Sequence, residues 1–331
     1  MYTMMTIFIF VAILFVYLHM QAQWKTSDDL EIYEADYQSA KQLQEIVSVK
    51  QPVLFKVDDH ESRRFTEKIR VSRMEKYDNI DVHIKEVADY YAKQEDPAVD
   101  YVSIPLRSAL PLLGSDSGAK YFSENNGVFL EESGLLSWMQ SMDDYWKPAL
   151  SAYSKYDILF GSAHAATPLR FHLMSQTYLL VTQGKIRVKM CPPKYRKVLP
   201  VVQDYENYEF RTSINVWETL PILDKIKFLE FDVTAGTALF IPQYWWYAIK
   251  FSGESTVASF QYDQVMNLFA QANHWGLYLM QQSNIRPKLA VSRVPEEEDE
   301  DSDEEDDIRT PVRKEIVTNA NVYETVGEGM E

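Results

Sequence analysis

Cys191 is the only cysteine in the chain, and a lone thiol excludes an intramolecular disulfide framework. Its place beside Pro192 at a strand end reads as a small buried residue, not a reactive thiol. A basic block is also missing, which argues against nucleic acid as a partner. The formal charge is −16, and it is unevenly spread: every residue from Glu296 to Asp307 is acidic except Ser302. Such a run cannot fold alone, because like charges repel and nothing apolar compensates. No internal repeat is visible beyond two similar strand-rich segments described below.

What the chain does have begins at its N-terminus. Met4 to Leu18 is uncharged and apolar apart from Thr6 and Tyr17. As a helix, Met1 to Met20 would be roughly 30 Å long, enough to cross a bilayer core. A cleaved signal peptide is the rival, but no basic residue precedes Met4, and Ala22 is the only small residue at a cleavage site. A buried helix is the third option. An uncleaved single-pass anchor over residues 1–22 is the preferred reading, with a membrane localisation. Lys25 is the lone basic residue near it and Asp28 and Asp29 follow, so orientation is undetermined.

Residues 23–100 read as an α/β approach segment. Ser39 is placed to cap a helix running to Val47. Pro52 to Phe55 reads as a strand, His60 to Ile69 as a charged helix, and Asn79 to Tyr91 as a strand followed by a helix. His60 and His83 have no nearby second ligand. Leu135, Leu136, Met139 and Met142 recur at helical spacing and suit a core. Asp143 and Asp144 are adjacent, so they point apart, which predicts a solvated helix end. Tyr145 and Trp146 are expected to pack on the strands that follow.

Two segments organise the rest. Gly161 to Pro193 holds a Thr-Pro-Leu turn, an alternating strand, Gly184, a second alternating strand and a Pro-Pro stop. Tyr178 to Val181 and Ile186 to Met190 around Gln183-Gly184 predict a hairpin. Gly236 to Phe251 holds an apolar strand, Pro242, the aromatics Tyr244 to Tyr247 and a final strand. Val257 to Tyr262 alternates as well, and Val265 to Gln282 reads as an apolar-rich helix that covers the strands or pairs with another copy. Two strand-rich halves joined by a long connection, Lys194 to Leu223, are what an eight-stranded jelly roll needs.

Thr167-Pro168-Leu169, Gly184, Cys191-Pro192-Pro193 and Leu239-Phe240-Ile241-Pro242 before Trp245-Trp246 carry a resemblance. Asp144 to Pro148 and Ser213 to Val216 extend it. In these residues the chain resembles the cupin-like JmjC hydroxylases, and among them the membrane-anchored cupin-like proteins of large DNA viruses. The resemblance covers about two-thirds of the chain. It implies a mainly β fold, a double-stranded β-helix over residues 101–287 with flanking helices. Apolarity and charge add the N-terminal transmembrane helix and an acidic tail over residues 288–331 that is expected to be disordered. The resemblance also implies dimerisation through C-terminal helices.

The family's Fe(II) is held by a His-x-Asp pair after the Thr-Pro-Leu turn and by a later His, with open positions left for substrate and oxygen. Aligned on the turn, this chain offers Arg170 and His172; aligned on Gly184 it offers Phe171 and Leu173; the later His corresponds to Tyr247. An arginine cannot lose its proton to become a ligand. The lysine that binds 2-oxoglutarate in the family corresponds to Ile186, and strand alternation turns Lys185 and Arg187 to the opposite face. The candidate pocket residues are thus Arg170, His172, Tyr247, Tyr178, Lys185 and Trp245, with no catalytic, cofactor or metal residue. His164 and His172 are the two histidines near the site. Arg170 needs a partner there: a core carboxylate, a phenolic oxygen such as Tyr247, a bound anion, or solvent. Trp245 and Tyr247 are expected to crowd the site.

Three functions follow. The preferred one is a membrane-anchored, catalytically inactive cupin-like domain that binds or scaffolds, with the acidic tail available to a basic protein partner. The alternative is a hydroxylase using Fe(II) and 2-oxoglutarate at a rearranged site. The third is a sugar- or anion-binding barrel with Arg170 as its anchor.

Overall fold

A computed structural model describes residues 2–92 and 97–284. The acidic run and the rest of the expected tail lie outside the described residues.

Helix α1, Tyr2–Trp24, is long and apolar enough to cross a membrane, and no residue of it is buried. It is followed by β1 (Tyr33–Asp36), α2 (Ala40–Val47), β2 (Val53–Lys56), α3 (His60–Lys68) and β3 (Asp81–Glu86). Ser39 caps α2 as expected, its side chain accepting from the N–H of Gln42. Next come β4 (Val102–Pro105), α4 (Leu106–Ser115), β5 (Tyr121–Ser123), α5 (Gly127–Glu132), α6 (Leu136–Ser141) and α7 (Asp143–Trp146). The strand-rich part holds β6 (Ser151–Gly161), β7 (Arg170–Phe171), β8 (Gln176–Cys191), β9 (Val202–Asp204) and β10 (Glu209–Arg211). It closes with β11 (Leu229–Thr234), β12 (Thr237–Pro242) and β13 (Trp246–Gln264), then α8 (Val265–Ala270) and α9 (Ala272–Asn284).

The fold is mainly β, one large mixed sheet with flanking helices. Its main path runs β1-β2-β12-β8-β13-β6-β5-β3-β4. The approach segment is part of it, since β2 pairs with β12 and β3 with β5. Two long strands, β8 and β13, lie antiparallel along most of their length. The first half of β8 pairs also with β12 and its second half with β11. The second half of β13 pairs with β6, whereas Tyr247 in its first half pairs with Arg170 of β7.

The expected hairpin at Gly184 is corrected. Both flanks of Gly184 pair with the same partner strand, so β8 is one strand that bends. Gly184 has φ +70°, and a Cβ there would stand 2.3 Å from the Glu254 carbonyl oxygen. Only glycine fits a left-handed residue so close to the neighbouring backbone. The register of β13 shifts opposite it, between Ser252 and Val257. The expected single helix over 265–282 is also two, separated at Gln271, whose side chain turns to the Tyr244 hydroxyl.

Strand alternation sorts the apolar residues into separate cores. Tyr178, Leu180, Phe240, Phe260 and Tyr262 face the helices with Phe55, Phe65 and Trp146. Leu179, Val181, Leu239, Val257, Ile186, Val188, Tyr247 and Ile249 meet in a second cluster, which joins the two groups of strands that β8 and β13 share. Phe171, Cys191, Phe210 and Trp246 form a third. Leu135, Met139 and Met142 are buried, as their spacing predicts. Asp143 is a correction: instead of a solvated helix end it accepts from the hydroxyls of Tyr156 and Tyr262, at 2.8 and 2.7 Å, and from Lys147 at 2.7 Å.

Candidate functional site

The second core cluster stops short of one end of the space between the strands, and there polar side chains replace apolar ones. β6 turns Lys155, Asp157 and Leu159 inward; β13 turns Ser259 and Gln261 inward; β7 and β10 add Arg170 and Glu209. Together with His172 and Tyr247 they line a cavity of about 110 Å³, room for several waters or one small ligand. The α9 residues Trp275 and Tyr278 cover it. Trp275 stacks on Tyr208 at 4.9 Å and meets Tyr153 edge-on at 5.1 Å.

A buried charge network forms one wall. Arg170 donates to both oxygens of Glu124, at 3.0 and 2.6 Å, and to Glu209 at 3.0 Å. Glu124 also accepts from Lys85 Nζ at 2.8 Å and from the Tyr90 hydroxyl at 3.1 Å. Two cations and two carboxylates thus close on one another without net charge. Burial opposes ionisation of Glu124, but Arg170 and then Lys85 outweigh it and hold the carboxyl well below its usual range. Burial likewise opposes the Arg170 charge, and Glu124, Tyr247 and Glu209 overcome it. Of the partners open to Arg170, the structure selects the core carboxylates; neither solvent nor a bound anion is needed.

His172 and Tyr247 form the second element. The Tyr247 hydroxyl hydrogen-bonds His172 Nε2, and the Gln261 amide nitrogen approaches the same atom at 3.4 Å. A neutral imidazole offers Nε2 as the acceptor for the Tyr247 hydroxyl. Burial, followed by the Arg170 and Lys155 charges, pushes the His172 pKa down to about 3. Burial pushes Tyr247 up to about 12.

Lys155 is the third. It is half-buried and faces Gln261 across the strand pair. Asp157, two residues on, spends its oxygens on the backbone N–H groups of Asn125, Asn126 and Ile158, all at 2.7 to 2.8 Å. Lys155 makes no hydrogen bond or ion pair with the described residues, and burial lowers its pKa. It is the cation in this cavity whose donors remain free.

Of the six candidate pocket residues, Arg170, His172 and Tyr247 come together here. The other three are corrections. Tyr178 points to the opposite face of β8, into the helix-side core, where its hydroxyl donates to Gln176 at 2.8 Å. Lys185 lies outside and pairs with Asp232 at 3.0 Å, as the alternation around Ile186 requires. Trp245 is buried away from the cavity and donates to the Ser27 carbonyl at 3.0 Å, so it fastens the segment after α1. His164 sits on an exposed turn with φ +69° and lines no part of the cavity. Sequence reasoning missed Lys85, Glu124, Glu209 and Lys155. Lys155 alternates with Asp157 and Leu159, a pattern that carried the signal; a lone Glu124 after a three-residue strand carried none.

An Fe(II) centre of the kind the resemblance implies does not fit these residues. A guanidinium committed to two carboxylates occupies one ligand position and a phenol bonded to the remaining imidazole another. Among the described residues, no three His, Cys, Asp or Glu side chains are grouped to hold a metal ion. The position that the resemblance gives to the 2-oxoglutarate lysine holds Ile186, and its neighbour Lys185 is turned outward to Asp232. Comparison with family models and with curated proteins gives no match to this chain.

Proposed function

We propose that the chain is a membrane-tethered, catalytically inactive cupin-like protein that binds a small polar ligand or scaffolds a partner. A double-stranded β-helix is the proposed form of its sheet, supported by the two bent strands β8 and β13 shared between two groups of strands. One observation carries the loss of catalysis. The positions that resemble iron ligands hold Arg170, clamped by Glu124 and Glu209, and His172, bonded to Tyr247.

Binding is supported by what the same cavity keeps: the free donors of Lys155 and the hydroxyl of Ser259 under an aromatic cover. Tethering is supported by α1 and by its attachment to the domain described below. The acidic run from Glu296 to Asp307 is proposed to face a basic partner, and the exposed Leu277, Leu279 and Met280 of α9 to meet a second copy. The test is alkaline carbonate extraction of membranes from cells making the full chain, with sequencing of its N-terminus. Retention with Tyr2 to Trp24 intact is expected. Release, or a mature chain beginning after Ala22, overturns the tether.

A further inference from the structure

The segment that leaves α1 is fastened to the domain at several points. Lys50 Nζ donates to the carbonyls of Ala22, Gln23 and Lys25 at 3.0, 3.3 and 2.9 Å. Trp24 Nε1 donates to the Ala270 carbonyl of α8 at 3.2 Å. Lys194 holds Asp28 twice, through its backbone N–H at 3.1 Å and through its ammonium on the Asp28 carbonyl at 3.0 Å. Lys194 belongs to the turn Pro193–Lys197, which carries Lys194, Arg196 and Lys197. The fold therefore brings a basic turn to the end of its most apolar helix, although Trp24 and Lys194 are far apart in the chain.

Between them lies a second cavity, of about 410 Å³, lined by Trp24 and Thr26 on one side and by Arg196, Tyr244 and His274 on others. Arg196 lies with its guanidinium 5.5 Å from the Phe171 ring and makes no hydrogen bond or ion pair with the described residues. Its fork of donors suits two oxygens of a phosphate. Tyr244 is held at φ +66°, a strained position for a tyrosine. A helix that spans a hydrocarbon core of about 30 Å ends at headgroup depth, where tryptophan is favoured. Trp24, at the end of α1, puts this cavity at that depth.

We infer that the cavity between Trp24 and Arg196 binds the headgroup of an anionic phospholipid, with the Arg196 guanidinium on its phosphate. The ligand is a lipid of the same membrane that α1 enters. The inference rests on the tethered reading, yet it is tested apart from it, because lipid retention in detergent does not require a spanning helix. The bound lipid would fix the domain against the bilayer surface, adding a second contact to the single covalent one.

The experiment is native mass spectrometry of the full chain in neutral detergent micelles, offered phosphatidylglycerol or phosphatidylcholine. One phosphatidylglycerol retained per chain in preference to phosphatidylcholine is expected. Arg196→Gln should reduce that preference about tenfold, the loss of one charge-assisted pair, and Arg196→Lys should restore part of it. Equal retention of the two lipids, or an Arg196→Gln chain that keeps the preference, overturns the inference. Inorganic phosphate is the third arm: if it displaces the lipid at millimolar concentration, the site belongs to the free anion and the lipid assignment fails. Release of the chain by carbonate would instead count against the tether alone.

Discussion

Arg170 and Glu124 meet through two hydrogen bonds, 3.0 and 2.6 Å long, and both side chains are buried. They come from β7 and from the turn after β5, so the pair ties one group of strands to the other. Glu124 is also the partner of Lys85. Replacing it strands the buried Lys85 and leaves Arg170 with Glu209 alone.

Glu124→Gln should therefore destabilise the fold by about 3–5 kcal/mol, the range found when one member of a buried pair is removed. Urea unfolding of the full chain in neutral micelles measures it. A loss below about 1 kcal/mol would mean that water reaches the network.

The neutral His172 predicts a pH dependence. In the unfolded chain its pKa is about 6.5; in the fold it is about 3. Between those values the unfolded state binds a proton and the folded state does not, so stability falls as the pH falls. The contribution is whole above about pH 6.5 and declines by up to about 1.4 kcal/mol per pH unit below it. Asp263 works in the other direction: burial raises its pKa to about 6, so its protonation favours the fold on acidification. Subtracting the His172→Gln curve from that of the parent isolates the histidine. Parallel curves from about pH 7 to 5 would show that the imidazole is charged in the fold.

Much of this layout is legible in the sequence, and the reasons differ by residue. The core faces follow from period-two alternation: Leu179, Val257 and Ile186 go one way and Tyr178, Phe260 and Lys185 the other. That rule places a residue on a face but does not say which face encloses the cavity, so sequence alone groups Tyr178 with Arg170. The Gly184 bend looks like a turn because glycine serves both; only the partner strand distinguishes them. Glu124 and Lys85 lie 39 residues apart and meet through tertiary pairing, which no local pattern encodes. The Asp143 pair misleads for a similar reason, since its tyrosine partners are 13 and 119 residues away.

Two glycines separate steric from conformational cost. Gly184→Ala places a Cβ against the Glu254 carbonyl at φ +70°, whereas Gly236→Ala meets open space at φ +83°. The second should cost about 1–3 kcal/mol of backbone strain, and the first more than that. Thermal unfolding of the two variants ranks them. Equal losses would show that β8 relaxes around the added methyl.

Lys50 caps the end of α1 with three carbonyl contacts, and burial lowers its pKa. A cation at a helix C-terminus contributes about 0.3–2 kcal/mol. Lys50→Met should leave the domain folded and free the junction. Hydrogen exchange at the amides of residues 22 to 28 should then quicken several-fold, while that of β8 stays unchanged. Unaltered exchange at the junction would assign its order to Trp24 and Asp28 instead.

The most direct measurement is the iron content of the full chain, expressed with added iron and purified without oxygen or chelator. Arg170 committed to Glu124 and Glu209, with Tyr247 bonded to His172, predicts iron far below one atom per chain and no succinate from 2-oxoglutarate. One iron per chain, lost in His172→Ala together with 2-oxoglutarate turnover, would contradict an inactive binding domain.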